Sequence, residues 1–194
     1  FEKILNGELR SYKDKIQYHK IKIEDNEIEK NDGWIVENVK GGKSWSIENI
    51  QRNYIKNACK EFSNNDLVLI SDVDEIPSLN KINFLLNCDF DEINPVGFEQ
   101  SLFHLNCEYL NLEKWIGTTA SRIETIQKFT PQMLRNNRWR ITMLTQAGWS
   151  FSSFGSVEKI QEKFEAFAHQ EYNNFNFKNK EHINNCLKNG MDLF

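Results

Sequence analysis

The sequence predicts one α/β domain built on a mostly parallel central sheet. Three observations carry this expectation. The 194 residues suit a single domain, 1–194, with no low-complexity or linker-like tract to divide it. Leu67-Val68-Leu69-Ile70, opened by Asp66, is a short continuous apolar run, the pattern of a central strand covered on both faces as in a parallel sheet. A helical stretch runs directly into it, and helix followed by buried strand is the α/β order.

Taken in chain order, Lys15 to Ile23 is rich in strand-formers and reads as a strand. Residues 24 to 44 are polar, hold Gly33, Gly41 and Gly42, and read as a long loop of the functional or mobile kind. From Trp45 to Phe62, the positions Ile47, Ile50, Tyr54, Ala58 and Phe62 recur at helical spacing and turn one face inward. Beyond the apolar run, Gly97 to Leu110 holds one or two strands and Thr119 to Ile123 another. Thr130 is a capping residue followed by Pro131 at the first helical position. After the turn-like Gly155, Ser156 caps a helix with Val157, Ile160, Phe164 and Phe167 on its inner face. Lys180 to Asn189, stopped by Gly190, is the last helix.

Composition narrows the function. With 39% hydrophobic and 27% charged residues, the chain has an ordinary globular makeup. A net charge of -4 argues against a surface made to grip nucleic-acid phosphates. Arg135, Arg138 and Arg140 form the only basic cluster; a solvated face is the plainer expectation, an anion contact the other. Cys59, Cys88, Cys107 and Cys186 share no zinc-binding interval and are expected as free thiols. No apolar run approaches the roughly 20 residues needed to span a bilayer. No asparagine lies in an Asn-x-Ser/Thr motif, which tilts the expectation towards the cytoplasm; with an upstream anchor, the secretory lumen would take its place. Because the chain opens at Phe1, it reads as N-terminally truncated.

Asp72, Asp74 and Glu75 follow directly on the apolar strand, where ligands bind in open α/β sheets. Carboxylates crowded there repel one another unless a cation or strong donors neutralise them. At strand spacing, Asp72 and Asp74 would point the same way and could converge on one magnesium or manganese ion, which in turn would hold a diphosphate. A solvated acidic turn closed by Pro77 is the plainer alternative. A phosphatase of the haloacid dehalogenase type also uses strand-Asp-x-Asp, but it wants threonine where Ile76 stands and an acidic pair well downstream, and Asp91-Glu92 comes too soon to serve.

Asp72-Val73-Asp74-Glu75-Ile76-Pro77-Ser78 resembles the signature of glycosyltransferase family seventeen, which includes the β-1,4-mannosyl-glycoprotein 4-β-N-acetylglucosaminyltransferases. Glu48-Asn49-Ile50-Gln51-Arg52 resembles the family's Arg-Glu-x-x-Gln-Arg helix, with Ile47 in place of its first arginine. Trp115-Ile116-Gly117-Thr118 and Thr130-Pro131-Gln132-x-Leu134-Arg135 fit its middle. Ala147-Gly148-Trp149-Ser150-Phe151-Ser152 resembles its Gly-Trp-His-Phe-Ser element, with Ser150 where the family has histidine. Lys163 to Glu171 resembles its closing Lys-Ile-x-Ser-Phe-Ser-His-x-Glu. The likeness runs from about Tyr12 to Asp192. It implies a GT-A-like nucleotide-sugar-binding fold, here lacking its first strand. It also implies inverting transfer of N-acetylglucosamine from a UDP-sugar donor to a glycan acceptor hydroxyl, with Mn2+ or Mg2+. The rival reading is a catalytically inactive carbohydrate-binding relative, suggested by Ser150 and the absent first strand.

Such a transfer needs a cation for the leaving diphosphate, a base for the acceptor hydroxyl, and walls that place both substrates. Asp74 is the first choice as metal ligand and Asp72 its partner on the metal or the ribose. Glu75 binds either there or to backbone donors at the turn. Arg52 either makes a surface ion pair with Glu48 or, as the resemblance implies, reaches the donor with Glu48 orienting it. His169 and Glu171 would share one face of an extended chain, the first as a third metal ligand and the second as the base, with Glu99 in reserve. A histidine at a helix end can also serve only the helix dipole. Trp115 and Trp149 are core residues or platforms for the acceptor sugar. His19, His104 and His182 have no partner at metal spacing and receive no role.

Overall fold

The computed structural model describes residues 6–7, 9–25 and 42–194. They form a six-stranded curled sheet with helices around it, an α/β arrangement. The strands are β1 (Leu67–Ile70), β2 (Glu75–Pro77), β3 (Val96–His104), β4 (Trp115–Arg122), β5 (Thr142–Leu144) and β6 (Gly148–Ser152). Their order is β1-β4-β3-β6-β2, with β5 also on β3.

The expected parallel sheet is not what forms. β1 pairs antiparallel with β4, β4 with β3, and β2 with β6; only β5 and β6 run parallel to β3. Nor is β1 central, since among the described residues its one neighbour is β4. The reason lies in what an apolar run reports. Leu67 and Leu69 pack on one core, with Leu85, Phe90, Val96, Phe98, Ala120 and Ala147. Val68 and Ile70 pack on another, with Cys59, Ile123, Ile126 and Leu134. Both faces of β1 are covered, as the run implies, but coverage says nothing about the direction of the neighbouring strand.

β3 is the hub. Its first half, Val96–Phe98, takes β5, and its second half, Ser101–His104, takes β6 along the same edge. Two short strands sharing the edge of one longer strand give the sheet its curl.

Eight α-helices complete the description: α1 (Gly42–Asn53), α2 (Ile55–Ala58), α3 (Leu79–Asn87), α4 (Ile123–Lys128), α5 (Pro131–Asn136), α6 (Val157–Ala166), α7 (Phe175–Lys178) and α8 (Lys180–Asn189). Thr130 caps α5, its hydroxyl accepting from the Met133 N–H at 3.2 Å, with Pro131 at the first position. Ser156 caps α6 in the same way, and α8 ends at Gly190 in the left-handed region (φ 64°), as expected. A side chain at Gly190 would also strike the Tyr109 ring. α6 and α8 enclose a third core of Ile160, Phe164, Ile183, Cys186 and Leu193. All four cysteines are free thiols.

Two local expectations fail. Arg10–Lys15 is a 3-10 turn and residues 16–24 belong to no strand, because the segment's alternating pattern finds no ladder. The helix after Trp45 breaks at Tyr54 and ends at Ala58, which leaves Phe62 half exposed and off the inward face. The loop expected over 24–44 lies mostly outside the described residues, and its last part already belongs to α1.

Candidate active site

β1 ends at Ile70, and the chain turns through Val73 and Asp74 before β2 begins at Glu75. Backbone and side chain close this turn together. The Glu75 N–H donates to the Asp72 carbonyl and the Asp72 N–H donates to Glu75 Oε2, each at 3.0 Å. Val73 stands fully exposed at the tip. Asp72 and Asp74 are thus on a turn, and strand alternation does not relate their side chains.

Glu75 lies beneath the turn, its side chain only 1% exposed. Arg135 of α5 grips it with both ends of its fork: Nη2 donates to Oε1 at 2.7 Å and Nη1 to Oε2 at 3.1 Å. The same guanidinium donates from Nη2 to Asp72 Oδ2 at 2.6 Å and from Nη1 to the Gly117 carbonyl at 2.5 Å. Arg52 of α1 takes the other Asp72 oxygen, Nη2 to Oδ1 at 3.0 Å. Its Nη1 donates to Glu48 Oε1 at 2.9 Å and to Gln132 Oε1 at 2.6 Å. Glu48 and Arg52 do form the i,i+4 pair, but Arg52 is 11% exposed and reaches well beyond it. Below, Ser71 and Thr118 hydroxyls meet at 2.6 Å, and Gln100 bonds Thr118 through both its amide atoms. Gly117 leaves no room for a side chain as the cluster is packed: an added Cβ would lie 1.8 Å from Gln100 Oε1 and 2.9 Å from the Glu75 carboxyl carbon.

The acids therefore do not repel one another unanswered. Glu48, Asp72 and Glu75 face Arg52, Arg135 and Arg138. Burial would raise the Asp72 carboxyl, but Arg135 and then Arg52 outweigh it and hold the group below the usual aspartate value. Burial works against the Arg52 cation too, and Asp72 and Glu48 overcome it. Arg138 is pushed down to about 10, first by burial and then by Arg135. It lies over the Trp115 ring at 5.0 Å, with Arg135 at 5.9 Å from the same ring. The solvated basic face expected at Arg135–Arg140 is corrected here: Arg135 is buried because two carboxylates and a carbonyl demand its donors.

The remaining expected residues divide between two groups. Trp45, Glu48 and Arg52 follow one another at helical spacing along α1. The Trp45 ring meets the His169 ring edge-on at 4.6 Å, and His169 Nδ1 lies 2.6 Å from Glu171 Oε1. His169 and Glu171 are thus joined to the arginine cluster through α1, although the chain there is a 3-10 turn over Gln170–Tyr172 and not extended. Burial would raise the Glu171 carboxyl, but its bond with His169 keeps it below the ordinary value. Asp74 sits on the opposite flank of the turn. Its carbonyl accepts from the Phe151 N–H at 2.9 Å, and its charge supports the Lys163 ammonium. Among the described residues no side chain hydrogen-bonds the Asp74 carboxylate, and no three His, Cys, Asp or Glu side chains are grouped to hold a metal.

Glu99 and Trp149 emerge elsewhere. Glu99 neighbours Gln100 in β3 and so points to the opposite face, where it pairs with Lys114 at 3.6 Å. Trp149 lies across from Ile76, and both are about half exposed. Ser150, across from Glu75, is buried on the arginine side. Trp115 packs beneath Arg135 and Arg138. Sequence reasoning gave no site role to Gln132, Trp45 or Lys163, and gave Arg135 an anion contact only as its second expectation. The stretch Thr130–Arg135 was the available signal, since its cap, proline and polar residues present Gln132 and Arg135 on one short helix.

Among the described residues no helix is long and apolar enough to cross a membrane. No curated protein and no solved structure matches the chain. The family model of glycosyltransferase family 17 does, over residues 6–194, which also decides against the phosphatase reading of Asp-x-Asp. Nearly the whole chain is covered, including every residue of the arginine–carboxylate cluster, and the protein belongs to glycosyltransferase family 17.

Proposed function

We propose that this chain is an inverting glycosyltransferase with a GT-A-like donor site, moving N-acetylglucosamine from a UDP-sugar to a glycan hydroxyl with the help of Mn2+ or Mg2+. The observation that carries this reading is the Asp72–Glu75 turn: two arginines fix its base, and among the described residues no side chain hydrogen-bonds the Asp74 carboxylate. Asp74 suits a divalent ion as the protein's own ligand, with donor oxygens completing the shell. Asp72 does not, because both its oxygens already accept from arginine. The ion's contribution is positive charge against the leaving diphosphate. His169, with Nε2 on the far side of the ring from Glu171, is the second protein group within this reading.

The chain supplies the rest. Arg52 and Arg135 hold Asp72 in one orientation, and Glu48 and Gln132 hold Arg52. Glu171 is the base: His169 Nδ1 holds one of its carboxylate oxygens, and the other oxygen takes the proton of the acceptor hydroxyl. Glu99, on the other face and beside Lys114, is the weaker candidate. Trp149, half exposed across the β2–β6 ribbon, is open to a sugar ring in a way that Trp115 is not.

One observation favours the second reading, an inactive carbohydrate-binding relative. Ser150, at the family's histidine position, is 3% exposed and offers neither a ligand nor a base. A panel of UDP-sugars, scored for thermal stabilisation and for hydrolysis with manganese and with chelator, separates the two. The expected result is stabilisation and slow hydrolysis by UDP-N-acetylglucosamine with manganese, both lost in Asp74→Asn while the unliganded melting point is unchanged. Stabilisation without turnover favours the inactive relative. No response to any UDP-sugar rejects the donor site altogether.

A further inference from the structure

Lys163 is a half-buried cation that, among the described residues, meets no carboxylate at ion-pair distance; Asp74 is the carboxylate whose charge supports it from further off. Arg52, Arg135, Arg122 and Lys178, which are also largely covered, each meet a carboxylate at 2.5–3.0 Å. Arg138 and Lys56 lack one, but Arg138 lies over the rings of Trp115 and Trp139, at 5.0 and 5.8 Å, and Lys56 donates to the Gln127 carbonyl at 2.7 Å. Lys163 meets only the Ser152 hydroxyl, at 3.2 Å, and among the described residues no carboxylate pairs with it. An ammonium carries three donors, so most of its capacity is unspent.

Its position is set by the β2–β6 ladder. Glu75 lies across from Ser150, and Ser152 is two residues further along β6 on the same face, about 7 Å away at strand rise. The Phe151 N–H between them holds the Asp74 carbonyl. Lys163 therefore reaches the sheet on the face that carries Glu75 and Arg135, near Asp74, whose carboxylate accepts no side-chain hydrogen bond among the described residues. It also stands near the end of α6, six residues before His169. Burial holds its ammonium below the ordinary lysine value, with Asp74 opposing the shift. A plain structural role is available, since a cation in the last turn of a helix favours the dipole. That role would be served equally well by an ammonium left in water, and it does not account for the side chain being drawn towards Ser152.

We propose that Lys163 is a phosphate-binding residue, whose ammonium takes the diphosphate of the nucleotide-sugar donor beside Asp74. This rests on the donor site proposed above. A phosphate oxygen is the acceptor that a partly desolvated, unpaired ammonium lacks, and each such charge-assisted bond is among the stronger ones a site can make. It also gives the turn a sharing of labour. Asp74 approaches the donor through a cation, and Lys163 approaches it directly.

The test is calorimetric binding of inorganic pyrophosphate and of UDP to the wild-type chain, Lys163→Met and Lys163→Arg, each with and without manganese. Lys163→Met is expected to lose at least about tenfold in affinity for both anions, and Lys163→Arg to recover most of it. The far-ultraviolet spectrum and melting point of the unliganded variants should match wild type; Lys163→Gln replaces Lys163→Met if the latter does not fold. Unchanged affinity in Lys163→Met overturns the proposal, as does a wild-type chain that binds neither anion. If pyrophosphate binding depends on Lys163 but no UDP-sugar binds, the oxyanion site stands and the donor reading falls.

Discussion

Arg135 has more donors committed than any other side chain near the turn, and its neighbours explain what its loss would do. Glu75 is buried under the turn with its carboxylate satisfied by Arg135 and one backbone N–H. Removing the guanidinium leaves that charge in a dry place without a partner, which costs roughly 3–5 kcal/mol. Arg135→Met is therefore expected to lower urea stability by about that amount, and adding Glu75→Gln to recover a good part of it. Equal losses in the single and double variants would show that packing, and not charge, sets the cost. Asp72 adds a pH signature. Its pKa is depressed in the folded state, so its contribution is present above the unfolded value near 3.9 and is lost as pH falls through the lower folded value. Wild-type stability should thus drop on acidification below about pH 4 more steeply than that of Asp72→Asn. Parallel curves from pH 6 to pH 2.5 would remove Asp72 from the linkage.

Elements were legible where a local rule decides them. Thr130-Pro131, Ser156 and Asn189-Gly190 each carry a cap or stop whose chemistry acts within a few residues, and α5, α6 and α8 begin or end there. β1 was legible as a strand because four apolar residues in a row need cover on two sides. Its antiparallel pairing was not, because that depends on β4, some fifty residues away. The segment from Lys15 to Ile23 shows the converse: among the described residues, strand-forming residues 16–23 belong to no strand. The site followed the same rule. Asp72, Asp74, Glu48 and Arg52 stood out by spacing and by family likeness, whereas Arg135 read as surface because its two carboxylates are sixty and more residues distant. Gly117 ties β4 to this cluster. Gly117→Ala is expected to cost about 1–3 kcal/mol through overpacking and to disturb Gln100 and Glu75 together. A melting point within a degree of wild type would show that the strand has room to move.

At the scale of the whole molecule, two groups from opposite ends of the chain meet on one helix. Arg52 of α1 faces the turn after β1, and Trp45, two turns earlier, faces His169 near the C-terminal helices. The proposed base and the proposed donor turn are thereby linked through α1. Glu171→Gln should keep UDP affinity and lose at least about a hundredfold in transfer rate, the low end for a missing general base. Near-normal turnover would clear Glu171 and direct attention to Glu99. Simultaneous loss of UDP affinity would make the pair a brace for the donor site.

The three-against-three balance of Glu48, Asp72 and Glu75 with Arg52, Arg135 and Arg138 also governs how the site looks from a distance. Paired charges a few ångströms apart cancel beyond about one Debye length, roughly 8 Å at physiological ionic strength. An approaching dianion then meets a protein whose overall charge is -4, relieved locally by whichever cations remain unpaired. Such a site cannot draw its substrate in by long-range attraction. With the donor proposed above, encounter should be slow and should quicken as added salt screens the residual repulsion, and recognition should begin only after contact.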